Sequence, residues 1–205
     1  MAVMARYPDN HFDLACVDPP YFKEAANGGY YGQGTSLSGV IRKNYKHFAF
    51  WAIPDHLYFN ELLRVSKNQI IWGCNYYAKF IPSAGRIVWD KKNDTSSFSN
   101  AELASQSFSK GVFTFRHRWN GMITDGKPVN RIHPTQKPVE LYEWILKKYA
   151  KEGDRILDTH LGSGSSAIAA HYAGFDFVGM ELDEDYYKAA CKRFDAETAQ
   201  LGMAI

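Results

Sequence analysis

Cysteine is scarce in this sequence: Cys16, Cys74 and Cys191 are three in 205 residues, far apart and odd in number. That excludes a disulfide-stapled secreted scaffold and predicts a reduced, cytoplasmic chain. Cys16 and Cys74 sit in or beside apolar runs, where a free thiol packs as a small hydrophobe. Long apolar runs are missing as well. None approaches the ~18 residues of a bilayer span, and Met1 to Asn10 carries Arg6, Pro8 and Asp9 in place of a signal's apolar core. Neither sign of charge is in strong excess, since 24 Lys and Arg face 22 Asp and Glu. A protein held to its partner by bulk charge attraction is excluded on that count. No repeat or low-complexity tract is visible. What remains is an ordinary globular composition, 45% apolar and 22% charged, with length for one domain and one core.

The small net charge is an average of unlike parts. Residues 40–92 hold 9 basic against 3 acidic residues, residues 111–150 hold 7 against 3, and residues 176–205 reverse this with 3 against 7. Hydrophobic patterning predicts a buried strand over Phe12 to Val17, stopped by Pro19-Pro20, and then a long Gly-rich loop from Lys23 to Asn44. Pro54 is expected to open an amphipathic helix with Leu57, Phe59, Leu62, Leu63 and Val65 on its apolar side. Strands follow at Gln69 to Trp72 and Arg86 to Trp89, with a short helix near Asn75 to Phe80 between them. Gly111 to Trp119 alternates apolar and polar residues, which predicts an exposed hairpin arm. From Pro138 the order is helix to Ala150, strand Arg155 to Asp158, Gly/Ser turn, helix Ser165 to Ala173 ended by Gly174, strand Phe175 to Met180, and a helix capped by Asp183 running to about Thr198. Strand, helix, strand and helix at this spacing make a βαβ unit, so the fold class is α/β.

Two motifs carry chemistry. In Asp158-Thr159-His160-Leu161-Gly162-Ser163-Gly164-Ser165-Ser166, the glycines let backbone N–H groups and a helix N-terminus approach a ligand. Glu181 falls at the end of the next strand, where a carboxylate can accept both hydroxyls of a ribose. Together they read as a nucleoside-cofactor site, although a Gly-rich turn that only joins strand to helix has the same look. The second motif, Asp18-Pro19-Pro20-Tyr21, ends a buried strand. Two prolines fix a bend that presents a carboxylate, carbonyls and an aromatic face. Asp18 can accept one N–H of a planar exocyclic amine and a proline-flanked carbonyl the other, while Tyr21 stacks on the ring. The amine lone pair is delocalised into its base, and acceptors placed off the base plane localise it. The alternative is a plain Asp-Pro-Pro turn with Tyr21 in the core.

With both motifs in this order, the sequence resembles the amino-group DNA methyltransferases of the circularly permuted β group, nearly end to end. Pro8-Asp9-Asn10-His11-Phe12-Asp13-Leu14 leads into the tetrapeptide as in that family, and His133-Pro134-Thr135-Gln136-Lys137-Pro138 resembles its segment before the cofactor strand. Gly179-Met180-Glu181-Leu182-Asp183 resembles its ribose-binding strand end. The resemblance implies a Rossmann-like sheet with helices on both faces, a catalytic half over 1–110, a small inserted target-recognition arm over 111–132 and a cofactor half over 133–205. It implies S-adenosylmethionine as methyl donor, S-adenosylhomocysteine as product and no metal, with double-stranded DNA as substrate, a homodimer as compatible and a place in restriction-modification. Asp18, Pro19, Pro20 and Tyr21 would then be catalytic. Thr135 and Lys137 would meet the methionine end, and Asp158, His160, Leu161, Gly162, Ser163, Gly164, Ser165, Glu181 and Leu182 would complete the cofactor site. A flipped base would present its amine to the methyl in line, without a covalent enzyme intermediate.

Departures from the family pattern are visible. Thr159 and His160 stand where Pro and Phe are usual, which predicts tuned cofactor affinity. The chain opens on residues that read as the helix after the family's first strand, so the adenine pocket is expected to lack that strand. For DNA, Arg42, Lys43 and Lys46 at the end of the Gly-rich loop, and Arg116 with Arg118 beside His117 and Trp119, are the candidate contacts, joined by Lys91 and Lys92. Asp in the tetrapeptide's first position resembles adenine-N6 enzymes, whereas cytosine-N4 relatives more often carry Ser. A cytosine-N4 enzyme and a DNA-binding relic without turnover stay open beside it. The seven histidines show no ligand spacing. Trp51, Trp72, Trp89 and Trp144 read as core aromatics, and Lys147-Lys148 as a solvated helix face.

Overall fold

Phe12–Val17 (β1) is apolar but for Asp13, and it stops where Pro19 and Pro20 remove the backbone donors a ladder needs. The computed structural model describes residues 1–21, 52–93, 99–119, 125 and 130–199. In it β1 lies within a seven-stranded sheet with Ser66–Trp72 (β2), Gly85–Asp90 (β3), Ala101–Gln106 (β4), Val112–Arg116 (β5), Arg155–Asp158 (β6) and Asp176–Gly179 (β7). The spatial order is β5-β3-β4-β2-β1-β6-β7. β1 pairs in parallel with β2 on one side (Val17 opposite Ile71) and with β6 on the other (Leu14 opposite Ile156). Among the described residues β4 alone runs backwards, antiparallel to both β2 and β3.

Alternation along the strands sends side chains to two cores. Leu14, Cys16, Ile70, Trp72 and Ile156 face Val139–Tyr149 (α2) and Ser165–Tyr172 (α3), whose Leu141, Ile145, Ala169 and Ala170 complete that layer. Ala15, Val17, Ile71 and Leu157 face the other way, onto Phe59, Leu62 and Val65 of His56–Val65 (α1). Glu184–Thr198 (α4) closes the chain against α3. No helix among the described residues is long and apolar enough to cross a membrane. From β1 the chain proceeds to β2, and from β6 to β7 in the opposite direction across the sheet. The loops at the carboxyl ends of β1 and β6 therefore part and leave a crevice, the usual ligand position in an open α/β sheet.

Three expectations need correction. Pro54 does not open α1; Asp55 caps it, its Oδ1 accepting from the Leu57 and Tyr58 amides at 3.0 and 3.3 Å, and Leu57 points to solvent. The opening residues form only a 3-10 turn, Met4–Arg6, because Tyr7 is extended ahead of Pro8. The short helix expected between β2 and β3 is present as one 3-10 turn, Ala78–Phe80. Val112 to Arg116 is not a hairpin arm but the edge strand β5, paired in parallel with β3, so the expected recognition arm gives its first residues to the main sheet. Its inward Phe113 and Phe115 pack against Tyr149 and Trp144 of α2. Alternation marks a half-buried strand but does not name its partner. β4 was missed altogether, since Ala-Glu-Leu-Ala-Ser-Gln has no β-branched or aromatic residue to announce a strand.

Elsewhere the local signals hold. Gly174, at φ +73°, ends α3 with the two reversed hydrogen bonds of a left-handed cap, its own amide to His171 and that of Phe175 to Ala170. Asp183 caps α4.

Candidate active site at the parting of the strands

A cavity of about 660 Å³ opens over the carboxyl ends of β1 and β6, a size that suits a small-molecule ligand. Asp18 to Tyr21 form one wall, and Thr159 to Ser163 with Met180 to Asp183 form another. Thr135 to Lys137 enter from the segment before α2, and Met1 to Met4 with Ile53, Asp55 and Tyr58 cover a third side. Motifs more than a hundred residues apart thus share one cavity.

The tetrapeptide is held from behind. The Tyr77 hydroxyl donates to the Pro20 carbonyl and reaches that of Pro19 at 3.3 Å. Asp18 Oδ2 accepts from Lys137 Nζ at 2.5 Å, and the same ammonium lies 3.0 Å from Glu102 Oε2, with Lys91 on the other oxygen of Glu102. Asp18 Oδ1 is buried with no hydrogen-bond partner among the described residues. Burial raises the Asp18 pKa, with Lys137 working against it. Burial also penalises the Lys137 ammonium, but Asp18 and Glu102 outweigh this and hold its pKa well above the usual value. For Glu102 burial pushes up, and Lys137 and Lys91 together pull it down to about 2. Lys137 is therefore a cation shared by two carboxylates, and Lys91 is committed to Glu102 rather than available as a phosphate contact.

Tyr21 stacks on Tyr76, ring centroids 4.5 Å apart and planes 9° from parallel. Beneath it Gly73 has φ +69°, and a Cβ there would come within 2.5 Å of Tyr21 Cδ1. Gly73→Ala is expected to displace the Tyr21 ring and lower turnover by on the order of 10²-fold, because small misplacements of positioning groups carry that cost. A stopped-time turnover assay beside an unchanged circular dichroism spectrum checks this; parent-like turnover would refute it.

The Gly-rich turn is built by left-handed backbone at Gly162 (φ +54°) and Gly164 (φ +77°). Glu181 faces it: the Gly162 amide donates to Oε2 at 2.9 Å, and the Leu182 and Asp183 amides to Oε1 at 2.8 and 3.0 Å. Oε1 is thus filled by two amides, whereas Oε2 keeps a second lone pair for a hydroxyl. Leu182 stands exposed at the rim. The serine hydroxyls are used internally. Ser165 donates to the Lys137 carbonyl at 2.7 Å, and Arg193 reaches from α4 to both serines, at 3.2 Å to Ser163 Oγ and 2.9 Å to Ser165 Oγ.

Asp158 and Gly164 do not line the cavity. Asp158 braces the turn from behind, Oδ1 accepting from the His160 amide at 2.9 Å and Oδ2 from Ser166 Oγ at 2.6 Å. Its burial moves the carboxyl up to about 7. Gly164 packs against Ala190 of α4. His160 does line the cavity, with Nδ1 2.9 Å from Thr159 Oγ1, which is itself 2.6 Å from the Tyr58 hydroxyl. Burial brings His160 down to about 4, so the ring is neutral at pH 7. The Thr159-His160 pair is thus in direct contact with Tyr58. Cys16, close behind, has its pKa raised by burial and by Asp158, which leaves no thiolate nucleophile there.

Of the expected DNA contacts, Arg42, Lys43 and Lys46 lie outside the described residues, as does Trp51. Arg116 is exposed, with Asp90 at 3.4 Å, and the Arg118 amide donates to Asp125 at 3.0 Å. Lys92 pairs with Asp125 at 2.8 Å. Trp119 does not belong with the arm: it is buried, its indole donating to the Gln136 carbonyl at 2.9 Å. Glu102, Tyr58, Tyr77 and Arg193 were not singled out in the sequence. Only Glu102 left a trace there, as a lone charge in a run of small residues.

Comparison with known proteins agrees with this geometry. A family model described as DNA methylase matches residues 40–192. A type II methyltransferase of Lactococcus lactis subsp. cremoris is 35% identical over 89% of this chain and 82% of its own length. One from Streptococcus pneumoniae is 27% identical over 95% of this chain and 86% of its own. In fold, the chain is similar to a putative DNA modification methylase of Thermus thermophilus, solved with S-adenosyl-L-methionine, at TM-score 0.60 and 15% identity, covering 96% of this chain and 90% of that one.

Proposed function

The chain belongs to the N6/N4 DNA methylase family, and on that premise we propose that it methylates the N6 amine of an adenine flipped out of double-stranded DNA. The coarser statement, a DNA methyltransferase that uses S-adenosylmethionine, follows from the family itself. One observation carries the finer reading: Asp18 lines the cavity, and its Oδ1 is buried with no hydrogen-bond partner among the described residues, which leaves an acceptor for a donor. A carboxylate in that position resembles the adenine-N6 members of the family.

The residues present fit the methyl donor. The cavity is large enough, the turn at Gly162 brings backbone close, and Glu181 Oε2 has a lone pair for a ribose hydroxyl. Glu181 would hold the ribose, Leu182 and His160 would border the adenine, and Thr135 with the Lys137 segment would border the methionine end. When bound, the donor supplies an electrophilic methyl on a sulfonium, and that sulfur keeps the electron pair of the broken bond. Asp18 Oδ1 and a proline-flanked carbonyl would accept the two N–H groups of the target amine, which would localise the nitrogen lone pair for attack on the methyl. As a new N–C bond formed, positive charge would develop on nitrogen beside the Asp18 carboxylate, which would stabilise it until one proton passed to solvent. Tyr21 supplies the stacking face, worth about 1–3 kcal/mol against the cost of flipping. Arg116 and Arg118 are the proposed DNA contacts on the described surface.

Incubation with tritiated S-adenosylmethionine and unmethylated plasmid DNA, followed by nucleoside chromatography, tests the reading. Label in N6-methyladenosine is expected, whereas label in N4-methylcytidine would overturn the adenine assignment.

A further inference from the structure

Asp18, Lys137, Glu102 and Lys91 form a row of alternating charge running from the cavity wall into the sheet. The mechanism uses only the first of them. Lys137 is 5% exposed and its ammonium sits 5.6 Å from the Trp72 ring centroid, so solvent does little to screen it. A buried cation next to Asp18 is at first sight a handicap. It draws electron density from the carboxylate that must accept the amine, and it opposes the positive charge that moves from sulfur to nitrogen. Glu102 removes most of that handicap. Its Oε2 takes the ammonium from the side away from the cavity, and β4, the one reversed strand of the described sheet, is what carries it there.

We propose that Glu102 is a positioning residue for methyl transfer: by sharing the Lys137 ammonium it confines that cation to Asp18 Oδ2, leaves Oδ1 for the amine, and offsets the cation's charge at the reacting nitrogen. This rests on the amine-acceptor role given to Asp18 above. With Gln at 102 the shape and a hydrogen bond to Lys137 remain but the charge does not, so the full ammonium falls on Asp18. With Asp the charge stays.

The test is the single-turnover rate of tritiated-methyl transfer to plasmid DNA, with cofactor affinity measured separately by calorimetry. Glu102→Gln is expected to lower the rate by on the order of 10- to 100-fold, the weight of one poorly screened charge near a developing one. Its S-adenosylmethionine Kd should stay within about threefold, and Glu102→Asp should keep the rate within about fivefold of the parent. A merely structural Glu102 predicts the reverse order, Gln tolerated at least as well as the shorter Asp, and that result overturns the proposal. So does a parent-like rate in Glu102→Gln, or a loss confined to Kd. If the Gln variant does not fold, the Asp variant decides alone: a retained rate supports the proposal and a lost one overturns it. A parent that transfers no methyl to DNA brings down the functional reading as well, whereas an active parent with an unimpaired Gln variant overturns the Glu102 role only.

Discussion

Asp18→Ala is expected to lose methyl transfer by on the order of 10²- to 10³-fold, the usual cost of removing one preorganised partner of a transition-state charge. Binding of S-adenosylmethionine should stay within about threefold, because Glu181 and the Gly162 turn lie on the opposite wall. Asp18→Asn makes the stricter test. Lys137 Nζ lies 2.5 Å from Oδ2 and needs an oxygen there, so the amide of Asn would turn its NH2 to the cavity. A donor would then face the amine's own donors, and Asn should be no better than Ala. Single-turnover rates with calorimetric Kd values for both variants check this, and substantial activity in Asp18→Asn would show that the Lys137 contact does not fix the carboxylate's orientation.

Lys137→Met is expected to cost on the order of 3–5 kcal/mol of folding stability, the range seen when a buried ion group loses one member. Two carboxylates, Asp18 and Glu102, would be left behind, and among the described residues only Glu102 retains a cation, Lys91. The sign of the pH dependence follows. In the parent, Glu102 is held at about 2, below its ordinary 4.5, so its contribution is present above pH 4.5 and disappears as pH falls toward 2. Without Lys137 both carboxyls titrate higher in the folded state and can neutralise in mild acid. The stability gap between parent and variant should therefore be widest near pH 7 and narrow as pH falls to about 5. Urea unfolding at both pH values measures it; an unchanged gap would mean that the pair is not ionised as described.

Where a segment's fate is decided by neighbours in the chain, the sequence was legible. β6 begins and ends where patterning put it, Gly174 stops α3 because a left-handed cap needs little but glycine, and Asp183 caps α4 through amides two and three residues on. The tetrapeptide was legible for the same reason, two prolines fixing their own bend. Errors came where an alternating pattern had to choose a partner. Phe113 and Phe115 announced a half-buried strand, yet only the packing of α2 against β3 and β5 made it a sheet edge instead of an arm.

By itself the sequence determined the α/β class, the two motifs and their order, because glycine, proline and cap residues act over a few bonds. The scarcity of cysteine belongs to the same local record: Cys16 and Cys74 are buried as small apolar groups. Only the tertiary structure decided that Asp158 and Gly164 stand behind the cavity, that the serine hydroxyls of the turn are clamped by Arg193, and that Asp18 shares a cation with Glu102. Those are contacts between groups distant in the chain, set by which strand lies beside which. An antiparallel strand made of small and polar residues brought Glu102 to the site, and no local propensity encodes that placement.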